Sequence, residues 1–109
     1  MKGVTFKENV SDIRNSKIVD TVKELLLFNI HVDVEDPYAQ GDEVHEEYGL
    51  KLCKKEENNY DAVIITVPHK PYLELNDDYF KSITKEKAVI ADLKGLYKNK
   101  IKSRQYWSL

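Results

Sequence analysis

Short apolar runs alternate with amphipathic stretches along the whole chain. Lys2 to Phe6 reads as a first strand with Val4 and Phe6 on the buried side. Ile18, Val19, Val22, Leu25 and Leu26 then recur at i, i+1, i+4, i+7 and i+8, the period of a helix with one apolar face. Ser16 stands where an N-cap belongs, and Asn29 can close that helix in the left-handed conformation. Ile30 to Glu35 alternates as a second strand, which Asp36-Pro37-Tyr38 ends in a turn. Gly41 to Tyr48 predicts a short helix closed by Gly49, and Leu50 to Cys53 a minor strand. Lys54 to Asn59 is a solvated charged run. Ala62 to Val67 is continuously apolar, the mark of a central parallel strand covered on both faces. Pro68-His69-Lys70-Pro71 forces a loop, and Asn76 to Ile83 predicts another short helix. Ala88 to Ala91 is the next buried strand, and Ser103 to Leu109 a last edge strand.

Strands alternating with helices predict an α/β fold: a three-layer, Rossmann-like domain with a mainly parallel sheet and right-handed crossovers. A chain of 109 residues is one domain with a single core. The first strand starts almost at Met1, as in a domain taken from something longer. Hydrophobic residues at 41% and charged residues at 33% fit an ordinary globular protein and not a disordered one. A net charge of −2 supplies no basic field for nucleic acid. No apolar run approaches the ~20 residues that span a bilayer, so no membrane partner is expected. The single cysteine, Cys53, has no internal disulfide partner, which fits a reducing cytoplasm.

The chemistry gathers where strands run into loops. The stretch after the first strand carries Lys7, Asp12, Arg14 and Ser16, an unusual density of donors for an anionic ligand at the carboxyl end of a sheet. Val89 to Gly95 repeats the design, with Asp92, Lys94 and Gly95 closing an apolar strand. Lys7 suits phosphate as a compact charge and Arg14 as a bidentate fork. The plain alternative is a solvated Lys7 and an Asp12–Arg14 pair satisfied within itself. The glycines are Gly3, Gly41, Gly49 and Gly95, so neither a dinucleotide fingerprint nor a P-loop exists. Asp36 stands where a ribose-binding acid would be, yet a first loop without glycine in its turn cannot cradle a pyrophosphate. Cys53 lies in an edge segment with no partner base, so no catalytic residue is expected. The histidines His31, His45 and His69 show no metal-ligand spacing. His69, after the central strand, either orders its loop or touches ligand.

Taken in order, these pieces are familiar. Phe6-Lys7, Asp12, Arg14 and Ser16 resemble the F-K-x-x-x-x-D-x-R-x-S segment that opens the UDP-binding domain of the UDP-glucose/GDP-mannose dehydrogenase family. Asp36-Pro37-Tyr38, Tyr60-Asp61-Ala62 with Val67-Pro68-His69, and Asp92-Leu93-Lys94-Gly95 resemble its later motifs. The closing Tyr106-Trp107-Ser108-Leu109, with the Lys94 segment, is similar to the branch acting on UDP-N-acetylhexosamines and their uronates. The resemblance covers residues 1–109 and implies a nucleotide-sugar-binding domain of an NAD-dependent UDP-sugar 6-dehydrogenase. Such enzymes oxidise the C6 hydroxymethyl to a carboxylate with two NAD⁺. It implies that Phe6, Lys7 and Lys94 contact the UDP-sugar, Lys7 near ribose or phosphate. Arg14 would reach NAD held by another domain. Lys94 falls where the glucose branch carries arginine. The N-terminal NAD-binding and central domains, with the family's catalytic cysteine, are absent from this sequence, so the domain alone is expected to bind without catalysing. Two other classes compete: a flavodoxin-like signalling module and an oligomerisation module built on Trp107 and the tyrosines. The first lacks the acidic pair after strand one, where Phe6 is followed by Lys7.

Overall fold

The computed structural model describes every residue from Met1 to Leu109 except Asn15 and Lys55. Asn15 belongs to the loop before the first helix and Lys55 to the charged run expected over 54–59; both lie outside the described residues.

In chain order come α1 (Lys17–Leu27), α2 (Gly41–Tyr48), β1 (Tyr60–Ile65), a 3-10 turn (Lys70–Glu74), α3 (Asp77–Ile83), β2 (Thr84–Asp92) and β3 (Gln105–Ser108). The strands form a parallel sheet in the order β1-β2-β3. Isolated parallel bridges extend the ladder beyond β1: Lys2 pairs with Ile65 and with Glu35, and Val34 pairs with Leu52. Across the sheet the order is therefore Leu52, Val34, Lys2, β1, β2, β3. The chain winds outward in one direction from Lys2 and in the other from β1. That is the doubly wound order of a Rossmann-like fold, and its switch point lies between Lys2 and β1.

Helices cover both faces. On one side Val4, Ile13, Val19, Val22, Val34 and Val44 pack together beneath α1 and α2. On the other, Val63, Ile65, Tyr72, Phe80, Ile83, Ile90 and Tyr97 join β1 and β2 to α3 and the 3-10 turn. The helix ends follow the local code. Asn29 closes α1 at φ +61°, and Gly49 closes α2 at φ +71°. Asn76, expected inside a helix, is instead the N-cap of α3, its Oδ1 accepting from Tyr79 N at 2.9 Å. Ser16 occupies the N-cap position of α1, but its hydroxyl makes no capping bond and is buried without a partner among the described residues.

The early strands are much shorter than their patterns predict. Of Lys2 to Phe6, only Lys2 bridges to neighbours. Gly3 turns the backbone to φ +108°, and the next two amides leave the ladder for a carboxylate: Val4 N and Thr5 N donate to Asp36 Oδ2 at 2.8 and 3.1 Å. The two-residue alternation stops there. Val4 is buried as expected, whereas Phe6, expected on the buried side, is 56% exposed. The second strand shrinks to bridges at Val34 and Glu35, and Leu50 to Cys53 to one at Leu52.

A buried lysine helps to seat the first segment. Lys2 Nζ lies 3.1 Å from Glu35 Oε2 and 2.7 Å from Glu56 Oε1, over the rings of Tyr72 and Tyr79. Two carboxylates and two ring faces replace the water it gives up.

Candidate functional site

Three loops that follow neighbouring positions of the sheet line its carboxyl edge on either side of the switch point. Residues 3–14 follow the Lys2 bridge, 66–70 follow β1, and 93–95 follow β2. Phe6 and Lys7 stand exposed on the first, Lys94 on the third, with the β1 loop between them. The expected contact residues thus share one edge.

The first loop is closed by Phe6 N donating to Asp12 O at 2.6 Å. Arg14 then doubles back on Asp12: Nε meets Oδ1 at 3.1 Å, a terminal nitrogen meets Oδ2 at 3.1 Å, and Arg14 N donates to Oδ1 at 2.9 Å. These bonds hold the Asp12 carboxyl below its usual range and raise the guanidinium. The alternative in which this pair satisfies itself is what the structure contains. Because the Arg14 side chain is 81% exposed, the pair adds little stability.

Beneath the loop lies the feature that holds it. The Asp36 carboxylate accepts from five donors: Val4 N, Thr5 N and His69 Nε2 on Oδ2, Tyr38 N and Ala39 N on Oδ1, all within 2.8–3.1 Å. Burial alone would raise its pKa, but the backbone donors Val4 and Tyr38, with His69, hold it below the ordinary value. A carboxylate so engaged is not available to a ribose, although it stands at the ribose position of a dinucleotide fold. His69 is itself fully buried, and its Nδ1 accepts from Asn9 N at 3.0 Å. Loop ordering, one of the two roles expected of His69, is what these contacts perform.

At the end of β2, Asp92 is fully buried, its Oδ2 accepting from Tyr97 N at 2.7 Å and Tyr106 Oη at 2.6 Å. Those bonds pin the turn that lifts Lys94 into solvent, and Gly95 supplies its φ of +70°. Register places Ser108 of β3 beside Asp92, so the closing residues reach the same edge.

Other candidates fall away. Burial and the Asp33 and Glu35 carboxylates push the Cys53 thiol up, the reverse of an activated nucleophile. Among the described residues no cluster of three or more His, Cys, Asp or Glu is placed to hold a metal ion, and no helix is long and apolar enough to cross a membrane. A cavity of about 380 Å³ lies at the opposite end of the sheet, lined by Met1, Leu25, Ile30, Tyr60 and Ile83 among others. It touches none of the three loops.

The chain as a whole resembles known proteins. A family model described as UDP-glucose/GDP-mannose dehydrogenase family, UDP binding domain, matches residues 1–99. The chain is 40% identical over 93 residues to UDP-N-acetyl-D-glucosamine 6-dehydrogenase of Salmonella typhi, a match covering 84% of this chain and 22% of that protein. It is 37% identical over 97 residues to the protein of the same name from Pseudomonas aeruginosa, covering 88% and 23%. Among solved structures, the native UDP-N-acetyl-mannosamine dehydrogenase Cap5O from Staphylococcus aureus superposes with a TM-score of 0.74 at 26% identity, covering 97% of this chain and 24% of that one. The chain thus spans between a fifth and a quarter of the length of these relatives.

Proposed function

The chain belongs to the UDP-glucose/GDP-mannose dehydrogenase family and corresponds to its UDP-binding domain, and from that premise we propose that the three-loop edge is the nucleotide-sugar half of an interdomain cleft. The enzyme it would serve is an NAD-dependent UDP-sugar 6-dehydrogenase of the UDP-N-acetylhexosamine branch, working in a reducing cytoplasm. The single observation that carries the reading is Phe6, 56% exposed on a loop whose base is anchored by a five-donor carboxylate. An aromatic side chain presented to solvent at a switch point is a surface for a ligand, not for the core. Lys7 beside it supplies a charge for ribose or phosphate, and Lys94 a second cation across the β1 loop. Lysine there offers a compact charge in place of an arginine fork.

The residues of this domain do not fit NAD in their own crevice. The turn after Phe6 has no glycine, and Asp36 is consumed by backbone donors. The coenzyme, which supplies hydride-accepting chemistry when bound, would be held elsewhere in the enzyme. Arg14 would face it from this side, since Asp12 engages only part of a guanidinium that carries five N–H donors. Nucleophile and bases would come from the rest of the polypeptide, and the domain alone binds without turnover.

An amide NMR titration with UDP, UDP-N-acetylglucosamine and GDP-mannose tests this. Shifts centred on Phe6, Lys7 and Lys94 with a uridine preference are expected. Lys7→Ala and Lys94→Ala should each weaken UDP by about five- to tenfold, the loss of one charge-assisted contact at an exposed site. Shifts confined to the opposite end of the sheet, equal affinity for the guanine nucleotide, or no shifts at all would refute the assignment.

A further inference from the structure

Each polar atom of the His69 ring meets a group of fixed chemistry. A backbone amide only donates, so Asn9 N at 3.0 Å makes Nδ1 an acceptor. Nε2 lies 2.9 Å from Asp36 Oδ2 and 2.9 Å from Thr5 Oγ1. The carboxylate only accepts, and Thr5 Oγ1 gives its own proton to the Lys7 carbonyl at 3.1 Å. The ring is therefore neutral imidazole with its proton on Nε2, shared between Asp36 and Thr5. A flipped ring would set carbon against both Asn9 and Asp36. Asn9 completes the circuit, its φ of +61° accompanying an Oδ1 that accepts from Lys70 N at 2.7 Å.

We propose that His69 is a positioning residue: its Nε2-protonated ring clamps residues 5–9 onto the Asp36 turn, and the loop presents Phe6 and Lys7 in register only while Nδ1 accepts from Asn9. The consequence for nucleotide binding rests on the half-site reading above. A second proton would set N–H against N–H at Asn9 while leaving Nε2–H on Asp36. It would free the loop and keep the anchor. The groups facing the ring are the Asp36 carboxylate, Tyr38 edge-on at 4.8 Å, and Tyr72 at 5.7 Å with Glu35 hydrogen-bonded behind it. Lys7 and Lys70 belong to the two loops it joins.

Two conservative substitutions separate the two nitrogens. His69→Gln keeps a donor near Nε2 and removes the Nδ1 acceptor, whereas His69→Asn keeps an acceptor near Nδ1 and removes the Nε2 donor. The whole 109-residue chain is examined by ¹⁵N NMR, first without ligand. The wild-type imidazole should show a bare Nδ1 and a protonated Nε2. His69→Gln should speed Asn9 amide exchange by about tenfold with Ile65 and Ile90 amides unchanged, and His69→Asn should keep Asn9 protected while lowering thermal stability. With UDP added, His69→Gln should bind about fivefold more weakly and His69→Asn within about twofold of wild type. A proton on Nδ1, or His69→Gln with wild-type Asn9 protection, would overturn the clamp. If wild-type protein gives no shifts with UDP, the half-site reading fails, and the ligand-free measurements still decide the clamp.

Discussion

Asp36→Asn should cost the domain about 3–5 kcal/mol, a large part of the 5–15 kcal/mol that holds a small domain together. The carboxylate accepts on both oxygens, and neither end of it meets a group that could take a proton from an amide. Whichever way the asparagine is turned, its NH₂ faces donors: Val4 N, Thr5 N and His69 Nε2 at one end, Tyr38 N and Ala39 N at the other. At least two N–H groups, fully or partly buried, lose their partner, each at roughly 1–3 kcal/mol. The pH dependence carries a second signature. Burial works to raise the Asp36 pKa, but Val4, Tyr38 and His69 depress it overall. A depressed folded-state value contributes stability that is present above the unfolded carboxylate pKa of about 3.9 and is lost as pH falls through the folded value. Wild-type protein should thus lose this contribution below about pH 4, while Asp36→Asn lacks it at every pH. Urea unfolding at about pH 7 and at about pH 3 measures both effects. A variant within 1 kcal/mol of wild type at about pH 7 would show that the five bonds matter less than their geometry says.

The same carboxylate shows where reading the chain succeeds and where it stops. Apolar periodicity is local, so α1, the buried core of β1 and the edge strand at the C-terminal end were all legible from neighbouring residues. Lys2 to Phe6 has an equally good strand pattern, yet its amides at Val4 and Thr5 are taken by a carboxylate 32 and 31 positions away. No local window contains that competitor, so the strand was overestimated and Phe6 was turned inward. Lys2 is misleading for the same reason: residue type says solvent, and its anions sit 33 and 54 positions along the chain. The edge itself was easier. Chain order in a doubly wound sheet puts every strand-to-helix loop on one side, which places Phe6, Lys7 and Lys94 together without any knowledge of side-chain contacts. What holds those loops was only half visible. His69 stood out through its place after the central strand, between Pro68 and Lys70, but its partners Thr5 and Asn9 lie 64 and 60 positions away, and nothing in either segment names the other.

Gly3→Ala should be as damaging as the loss of Asp36, for steric reasons. A Cβ at position 3 would lie 2.7 Å from Val67 Cβ, 2.9 Å from its Cγ2 and 2.9 Å from its backbone nitrogen. The φ of +108° is strained for any L side chain. Left-handed backbone costs alanine about 1–2 kcal/mol, and overpacking adds about 1–3 kcal/mol where the neighbour cannot retreat. Val67 cannot: Thr66 is tied back to the first segment by Thr66 N to Lys2 O at 3.0 Å and Thr66 Oγ1 to Gly3 O at 2.6 Å, and His69 N bonds the Val67 carbonyl at 2.9 Å. Relief must come from the first segment, which would pull Val4 and Thr5 off Asp36 and move the loop that carries Phe6 and Lys7. Thermal unfolding should therefore show a loss of about 2–5 kcal/mol, with weaker UDP binding in whatever remains folded. Gly41→Ala is the control, since nothing lies within 4 Å of its added methyl and the site is helical; there the change should be neutral or stabilising by about 0.5–1 kcal/mol. Trimming Val67 to Ala in the Gly3→Ala background should restore little, because the Cβ and nitrogen that make two of the three close contacts are still present. Full rescue by that second change would mean that the clash is with the Cγ2 methyl alone, and that the close approach of the first segment to β1 is not what sets the nucleotide loop.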